Sequence, residues 1–400
     1  MQKRDLKKPL PLNDKQFIQL LDEYIDWSNN YIFKKNEIPF SAFAYAITTQ
    51  KSGKKNLSFE KLFDSFELHK EDISLFSGWS YLGFILYANK ENLSNFQLNA
   101  FLDEIDRIVL PLINFQPTNE KIKQLNYING YCGAGRYLIK EWERTGNKVI
   151  NKKIKAICKK CIDILYEVMD KACELTECEF EVDFSYSHGI CGLCSFLCIS
   201  YNHGILVKQH TECLYDILDF LIFELEEAYK NNKYLSLIRY SNYSSKSYMR
   251  NVFPWSWCRG LGGIYYSLFS ILKIVNDTAA QTRAFKLFFS QLESLNLMTD
   301  FISTVPCHGL SGLLLVLDAI SKMYSSKSEI LEGYIEEIIN TIYSYYDKDG
   351  KFFMEKVIQS NKIENCLDFY SPLTSHQSVI VALYSYYIND NTYLEMLGLC

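Results

Sequence analysis

The sequence predicts an all-α protein, an α/α toroid with a buried inner ring and an amphipathic outer ring, as one domain over residues 1–400. Three observations carry that expectation. A glycine pair spaced G-x-x-G recurs at Gly130/Gly133, Gly189/Gly192, Gly260/Gly263 and Gly309/Gly312, each time opening an apolar run of helical length. The intervals of 59, 71 and 49 residues each leave room for one more helix with loops. The runs after the glycines are apolar nearly all round, the mark of helices buried on every side. Such helices are too apolar to line an open groove, so the repeats are expected to close into a ring rather than stack as a solenoid.

The elements follow in chain order. SGWSYLGFILY, from Ser77, is a weaker copy in which Tyr81 takes the place of the second glycine. NGYCGAGRYLI opens the next inner helix, and KKIKAICKKCIDILYEV reads as a helix behind it. HGICGLCSFLC follows, then the outer candidate Leu214 to Lys230. The polar stretch Tyr240 to Val252 reads as a long loop before RGLGGIYYSLF. HGLSGLLLVLD precedes an amphipathic helix from Ser328 to Tyr346, where Ile330, Leu331, Tyr334, Ile335, Ile338, Ile339 and Ile342 share one face. Asp347 to Gln359 is the best hairpin signal, with its turn at Asp349-Gly350. SHQSVIVALYSYY, from Ser375, keeps the apolar run without the glycines.

Composition narrows the class. A chain of 400 residues, 48% hydrophobic, can bury a large core, and its 29 Tyr and 26 Phe suit bulky helix packing. A net charge of −5 without a Lys/Arg block gives no reason to expect nucleic acid. The basic start MQKRDLKKPLPLNDKQ has no apolar segment behind it, so no signal peptide is expected. No apolar run reaches the roughly 18 residues of a membrane span. Thirteen cysteines, an odd number, are expected to be thiols in a cytoplasmic protein, either buried or metal-binding.

The glycine turns hold most of the reactive side chains. His188 stands before Gly189, Cys258 two before Gly260, and Cys307 and His308 before Gly309. In a toroid, equivalent turns converge at one mouth. Two thiolates and an imidazole are a good zinc set, and three protein ligands leave the fourth position open, as in catalytic sites. Taken singly, Cys258, Cys307 and His308 read as core residues; their shared register is what argues against that. Three similar features are set aside. Cys158/Cys161 has the spacing of a metal knuckle but no second pair. Cys191, Cys194 and Cys198 lie on one face of a buried helix. His203-Gly204 lacks a following G-x-x-G.

SHGICG, WCRGLGG and PCHGLSG, in that order, resemble the signatures of the lanthionine synthetase C family, the cyclases of lanthipeptide biosynthesis. The resemblance runs from about Ser77 to the C-terminus. It implies a toroid of about seven helix pairs, a zinc ion (Zn2+) on Cys258, Cys307 and His308, and His188 as the acid/base residue. The implied reaction adds a peptide cysteine thiol to dehydroalanine or dehydrobutyrine. The implied partners are a dehydrated precursor with leader and core, a dehydratase and a peptide transporter complex, through which the protein would reach the membrane surface. The chain departs from the family in three places. Arg259 follows the first zinc cysteine where Tyr is frequent; by position it could stabilise the enolate oxygen. Asn126 stands where a carboxylate is expected, as a non-titrating member of the site or as a cap of the turn before Gly130. PWSW occupies the usual place of an Arg, with Arg250 further off. Asp183, near His188, is a candidate for the missing carboxylate. Two other readings stay open: a peptide-binding scaffold with a structural zinc completed by Cys366, Cys400 or His376, and another thiol-alkylating zinc enzyme such as a prenyltransferase subunit.

Overall fold

The structure is a computed structural model that describes residues 71–400 except 91–92, 116–120, 174–179, 208–210, 242–244, 249–252, 302, 348–351, 354, 358–361 and 365–370. Arg250, Cys366, the Asp349-Gly350 turn and the basic N-terminal stretch lie outside the described residues, as does the His376 side chain.

Six helices form the inner series: α1 (Trp79–Ala88), α4 (Tyr131–Thr145), α6 (Ile190–Asn202), α8 (Leu261–Val275), α11 (Leu310–Met323) and α13 (His376–Ile388). Each packs on the next in that order. Behind them lie α2 (Asn95–Leu112), α5 (Lys148–Cys173), α7 (Glu212–Lys230), α9 (Thr278–Glu293) and α12 (Ser328–Ser344). The short helices are α3 (Lys121–Leu125), α10 (Leu297–Asp300) and α14 (Thr392–Leu397). This is the arrangement expected of an α/α toroid. In α11 every residue from Leu310 to Ser321 is buried. In α12 the buried residues are Leu331, Ile335, Ile338, Ile339 and Ile342. Ile330 was expected on that face but is 53% exposed, because it sits at the edge of the stripe near the helix start. Among the described residues no helix is long and apolar enough to cross a membrane.

The glycine turns explain the repeat. The first glycine of each copy is the N-cap of its inner helix, with extended backbone, in α1, α4, α6, α8 and α11 alike; Ser375 takes that place before α13. The second glycine lies one turn inside the helix, pressed against the arriving loop. A Cβ on Gly312 would stand 2.0 Å from the Pro306 carbonyl oxygen, and one on Gly192 2.1 Å from that of Tyr186. Close approach of backbone to backbone is therefore what requires glycine here.

Neighbouring loops are stitched by backbone hydrogen bonds. Leu75 N donates to Ile128 O (3.0 Å), Tyr127 N to Ser187 O (3.0 Å) and Ser187 N to Cys258 O (3.0 Å). Cys258 N donates to Cys307 O (3.1 Å), and Cys307 N to Leu373 O (3.0 Å). Apart from Leu75 and Tyr127, these residues sit two before the capping residue of their helix. The belt fixes the order of the turns around the mouth. Beneath it the residues three before the glycines, Tyr127, Tyr186 and Trp257, are fully buried and pack in series as tilted pairs, with centroids 5.2 and 5.4 Å apart.

In the stretch Tyr240 to Val252, expected to be a loop, the described residues belong to paired strands. β2 (Leu237–Ser241) and β3 (Ser245–Tyr248) pair antiparallel, and β1 (Phe180–Asp183) adds on the other side of β2. Glu181 faces Arg239 and joins it in an ion pair, while Phe180 stacks on Tyr240 at 4.8 Å. Opposite charges and aromatic pairs in register stabilise such sheets. The expected hairpin after α12 is present as β4 (Tyr346–Asp347) with β5 (Phe352–Phe353); β6 (Glu355–Val357) pairs with β7 (Lys362–Glu364).

The chain's last described segment returns to the middle of the ring. Tyr393, Leu394, Met396, Leu397 and Leu399 are at most 1% exposed. Tyr186 Oη donates to Gly398 O (2.8 Å), Tyr393 Oη to Pro372 O (2.5 Å) and the buried Arg136 Nε to Glu395 O (3.2 Å). Gly398, at φ 73°, packs against the hydroxyls of Tyr127 and Tyr186.

Candidate active site

The mouth is built from loops held in one conformation by short side chains. Ser185 Oγ accepts from His188 N (3.3 Å) and Ser256 Oγ from Arg259 N (3.2 Å). Asn126 does the same in its own turn: its Oδ1 accepts from Asn129 N (2.7 Å) and its Nδ2 donates to Lys123 O (2.8 Å). All three cap the residue just before a glycine from four before it. The side chain of Asn126 is thus occupied as a turn cap, one of the two roles its position allowed. Sequence reasoning missed Ser185 and Ser256 as partners in this device, although NYING, SYSHG and SWCRG carry the signal openly.

The belt sets Cys258 and Cys307 on adjacent turns, and their thiols are in hydrogen-bond contact. Cys258 is only 6% exposed and Cys307 is half-buried. The hydrogen bond from Cys307 lowers the Cys258 thiol to about 7, against the opposing effect of burial, with help from His308, Ser256 and Arg259. Cys307, as donor and buried beside that charge, is pushed well up. Near neutral pH the pair therefore favours one thiolate and one thiol.

His308 is half-buried and packs its ring on Phe253, centroids 4.6 Å apart, a contact that nothing in the sequence announced. Among the described residues no three His, Cys, Asp or Glu side chains stand together as a metal-ligand group. The thiol pair is assembled, while the imidazole is on the aromatic ring. The donor chemistry fits zinc all the same. Two soft sulfurs in contact, one of them easily deprotonated, with an imidazole on the next residue, are ligands zinc takes.

His188 is half-buried on the turn next to Cys258. Burial lowers its pKa first, the Arg259 guanidinium lowers it further, and Asp183 raises it. Arg259, exposed, also favours the thiolates of Cys258 and Cys307, so its charge is felt on both sides of the mouth. Ser236 ties this region to the sheet: its Oγ donates to Arg259 O (3.0 Å), and its carbonyl accepts from Phe184 N (2.7 Å).

The thiols set aside above are core residues. Cys158, Cys161, Cys191, Cys194 and Cys198 are at most 2% exposed, and burial pushes each thiol up. His203 pairs with Glu143 at the far end of α6. Cys400, exposed at the surface, interacts electrostatically with Arg136, Glu395 and Lys140.

Comparison with known proteins bears on the family and the fold. The family model described as lanthionine synthetase C-like protein matches residues 44–367. No curated protein matches the sequence. Among solved structures the fold is similar to that of nisin cyclase, with a TM-score of 0.61 and 14% identity over 96% of this chain and 98% of that one.

Proposed function

The chain belongs to the lanthionine synthetase C-like family, and from that premise we propose that it is a lanthipeptide cyclase. It closes thioether rings by adding cysteine thiols of a dehydrated precursor peptide to dehydroalanine or dehydrobutyrine. The observation that carries this reading is the contact of Cys258 with Cys307 on adjacent turns, next to His188 and His308. Cys258, Cys307 and His308 would hold zinc, and zinc bound there would favour deprotonation of an incoming thiol and keep its sulfur nucleophilic.

The reaction adds S–H across C=C. Sulfur bonds to the β-carbon, and the α-carbon, enolate-like after attack, takes a proton. His188 serves that proton. Its lowered pKa keeps the imidazole neutral near pH 7, ready to accept, and makes the imidazolium a better donor. Arg259, exposed at the mouth beside His188, offsets the enolate charge. The precursor arrives with its leader from a dehydratase, in the cytoplasm, and the product passes to a peptide transporter.

The test is incubation of the zinc-loaded protein with a dehydrated peptide carrying free cysteine. Cyclisation leaves the mass unchanged, so thiols are counted by alkylation and mass spectrometry. Thiols should disappear faster than without protein, with one stereochemical outcome. A peptide that binds yet keeps every thiol alkylatable would instead identify a scaffold.

A further inference from the structure

Asp183 stands six residues before the capping glycine of its repeat, Gly189. Among the described turns only one other carries a carboxylate at that place, Asp72 before Gly78; Gln124, Pro254 and Ser303 fill it elsewhere. The Asp72 turn shows what such a carboxylate does. Its Oδ1 accepts from Ser74 N (2.8 Å), and its Oδ2 accepts from the hydroxyl of Ser77 (3.1 Å), the residue just before the glycine. The Asp183 turn repeats the first half of this arrangement, with Oδ1 accepting from Ser185 N (2.8 Å). The residue just before its glycine is His188. The crowding is the same too: a Cβ on Gly78 would lie 2.5 Å from Asp72 Oδ1, and one on Gly189 2.7 Å from Asp183 Oδ1. Pairing of β1 with β2 fixes the backbone of Asp183 opposite Leu237.

The geometry points to Asp183 as the positioning residue of His188: its carboxylate, held on Ser185 N and against Gly189, stands at the place from which Asp72 reaches Ser77. It does from within the histidine's own turn what a carboxylate at Asn126 would do from the neighbouring one. Asn126 is uncharged and taken up by Lys123 and Asn129. The charge felt by the ring is consistent: Asp183 favours the imidazolium, against burial and Arg259. This inference rests on the proposed role of His188. Asp183 touches no substrate and acts through the ring.

The test compares Asp183→Asn, His188→Asn, the double variant and Asp72→Asn in the full-length zinc-loaded protein, with a dehydrated peptide bearing one cysteine. Asparagine retains the Oδ1 cap of Ser185, so the turn is kept while the charge is lost. Asp183→Asn should lower kcat about 10–100-fold, with KM and zinc content unchanged. The double variant should be no worse than His188→Asn, and Asp72→Asn should match wild type. Wild-type kcat in Asp183→Asn overturns the inference. So does a double variant showing the product of both single losses, the result expected if Asp183 only supports folding. A silent Asp183→Asn beside an impaired His188→Asn leaves the cyclase reading standing. A wild-type protein that cyclises nothing removes that reading alone, because NMR titration of the His188 ring, which faces Asp183 and Arg259, tests the coupling directly. Its pKa should fall in Asp183→Asn, and an unmoved titration overturns the inference.

Discussion

At the scale of single residues the mouth depends on which thiol keeps its proton. Cys258→Ala removes one of two sulfurs from a site far smaller than the core, so the helical circular dichroism should persist. Zinc content, read by atomic emission, and cyclisation should both fall to background. Full zinc occupancy in Cys258→Ala/Cys307→Ala would refute the ligand assignment. Metal uptake should also release protons. Above about 7 Cys258 is already a thiolate and Cys307 must give up its proton; below about 7 both must. Affinity measured against a competing chelator should therefore weaken as pH falls, and more steeply below about 7. The two cysteines stand out in the sequence because Cys258 and Cys307 occupy the same place, two before the capping glycine, in successive turns, with His308 next to the second. The role of Asn126 was harder to read, since an amide serves equally in a turn and in a site. Only the hydrogen bonds to Asn129 N and Lys123 O decide how it is used here.

At the scale of elements the second glycines are sensitive points. Gly312→Ala drives a methyl into the Pro306 carbonyl and moves the loop that bears Cys307 and His308. It should cost about 1–3 kcal/mol in denaturant unfolding and weaken zinc binding as well. Gly333, on the outer helix α12, has nothing within 4 Å of its Cβ position. Gly333→Ala should stabilise by about 0.5–1 kcal/mol and leave the metal alone; equal losses from both would contradict the close-approach account. The inner helices could be read from their apolar runs. The sheet could not, because β1 is four residues long and β2 five, too short for alternation to stand out. The useful signals, Glu181 facing Arg239 and Phe180 facing Tyr240, lie far apart in the chain and become pairs only on folding.

At the scale of the whole molecule, the segment from Thr392 to Leu399 ties distant repeats together. It meets Arg136 of α4, Tyr186 before α6 and Pro372 before α13. Nothing in its short sequence marks it as central, since TYLEMLGL is too brief to be periodic. Leu394→Ala, at a fully buried position, should cost about 2–5 kcal/mol. Because the segment joins several repeats, the loss should appear as a lower midpoint of one cooperative transition. A separate early transition confined to α13 and α14 would show instead that this end folds alone.

The belt around the mouth is made of backbone groups, and this has an evolutionary consequence. Ile128, Ser187, Cys258, Cys307 and Leu373 take equivalent places in it, and each accepts its neighbour's hydrogen bond through a carbonyl that every amino acid possesses. The belt therefore holds whether that place carries an alkyl group, a hydroxyl or a thiol. The adjacent place tolerates Asn129, His188, Arg259, His308 and Thr374 in the same way. Selection can exchange the chemistry at the mouth turn by turn with little risk to the ring. A lineage could move its acidic group from one turn to the next, or replace a phenol with a guanidinium, by single substitutions through folded intermediates.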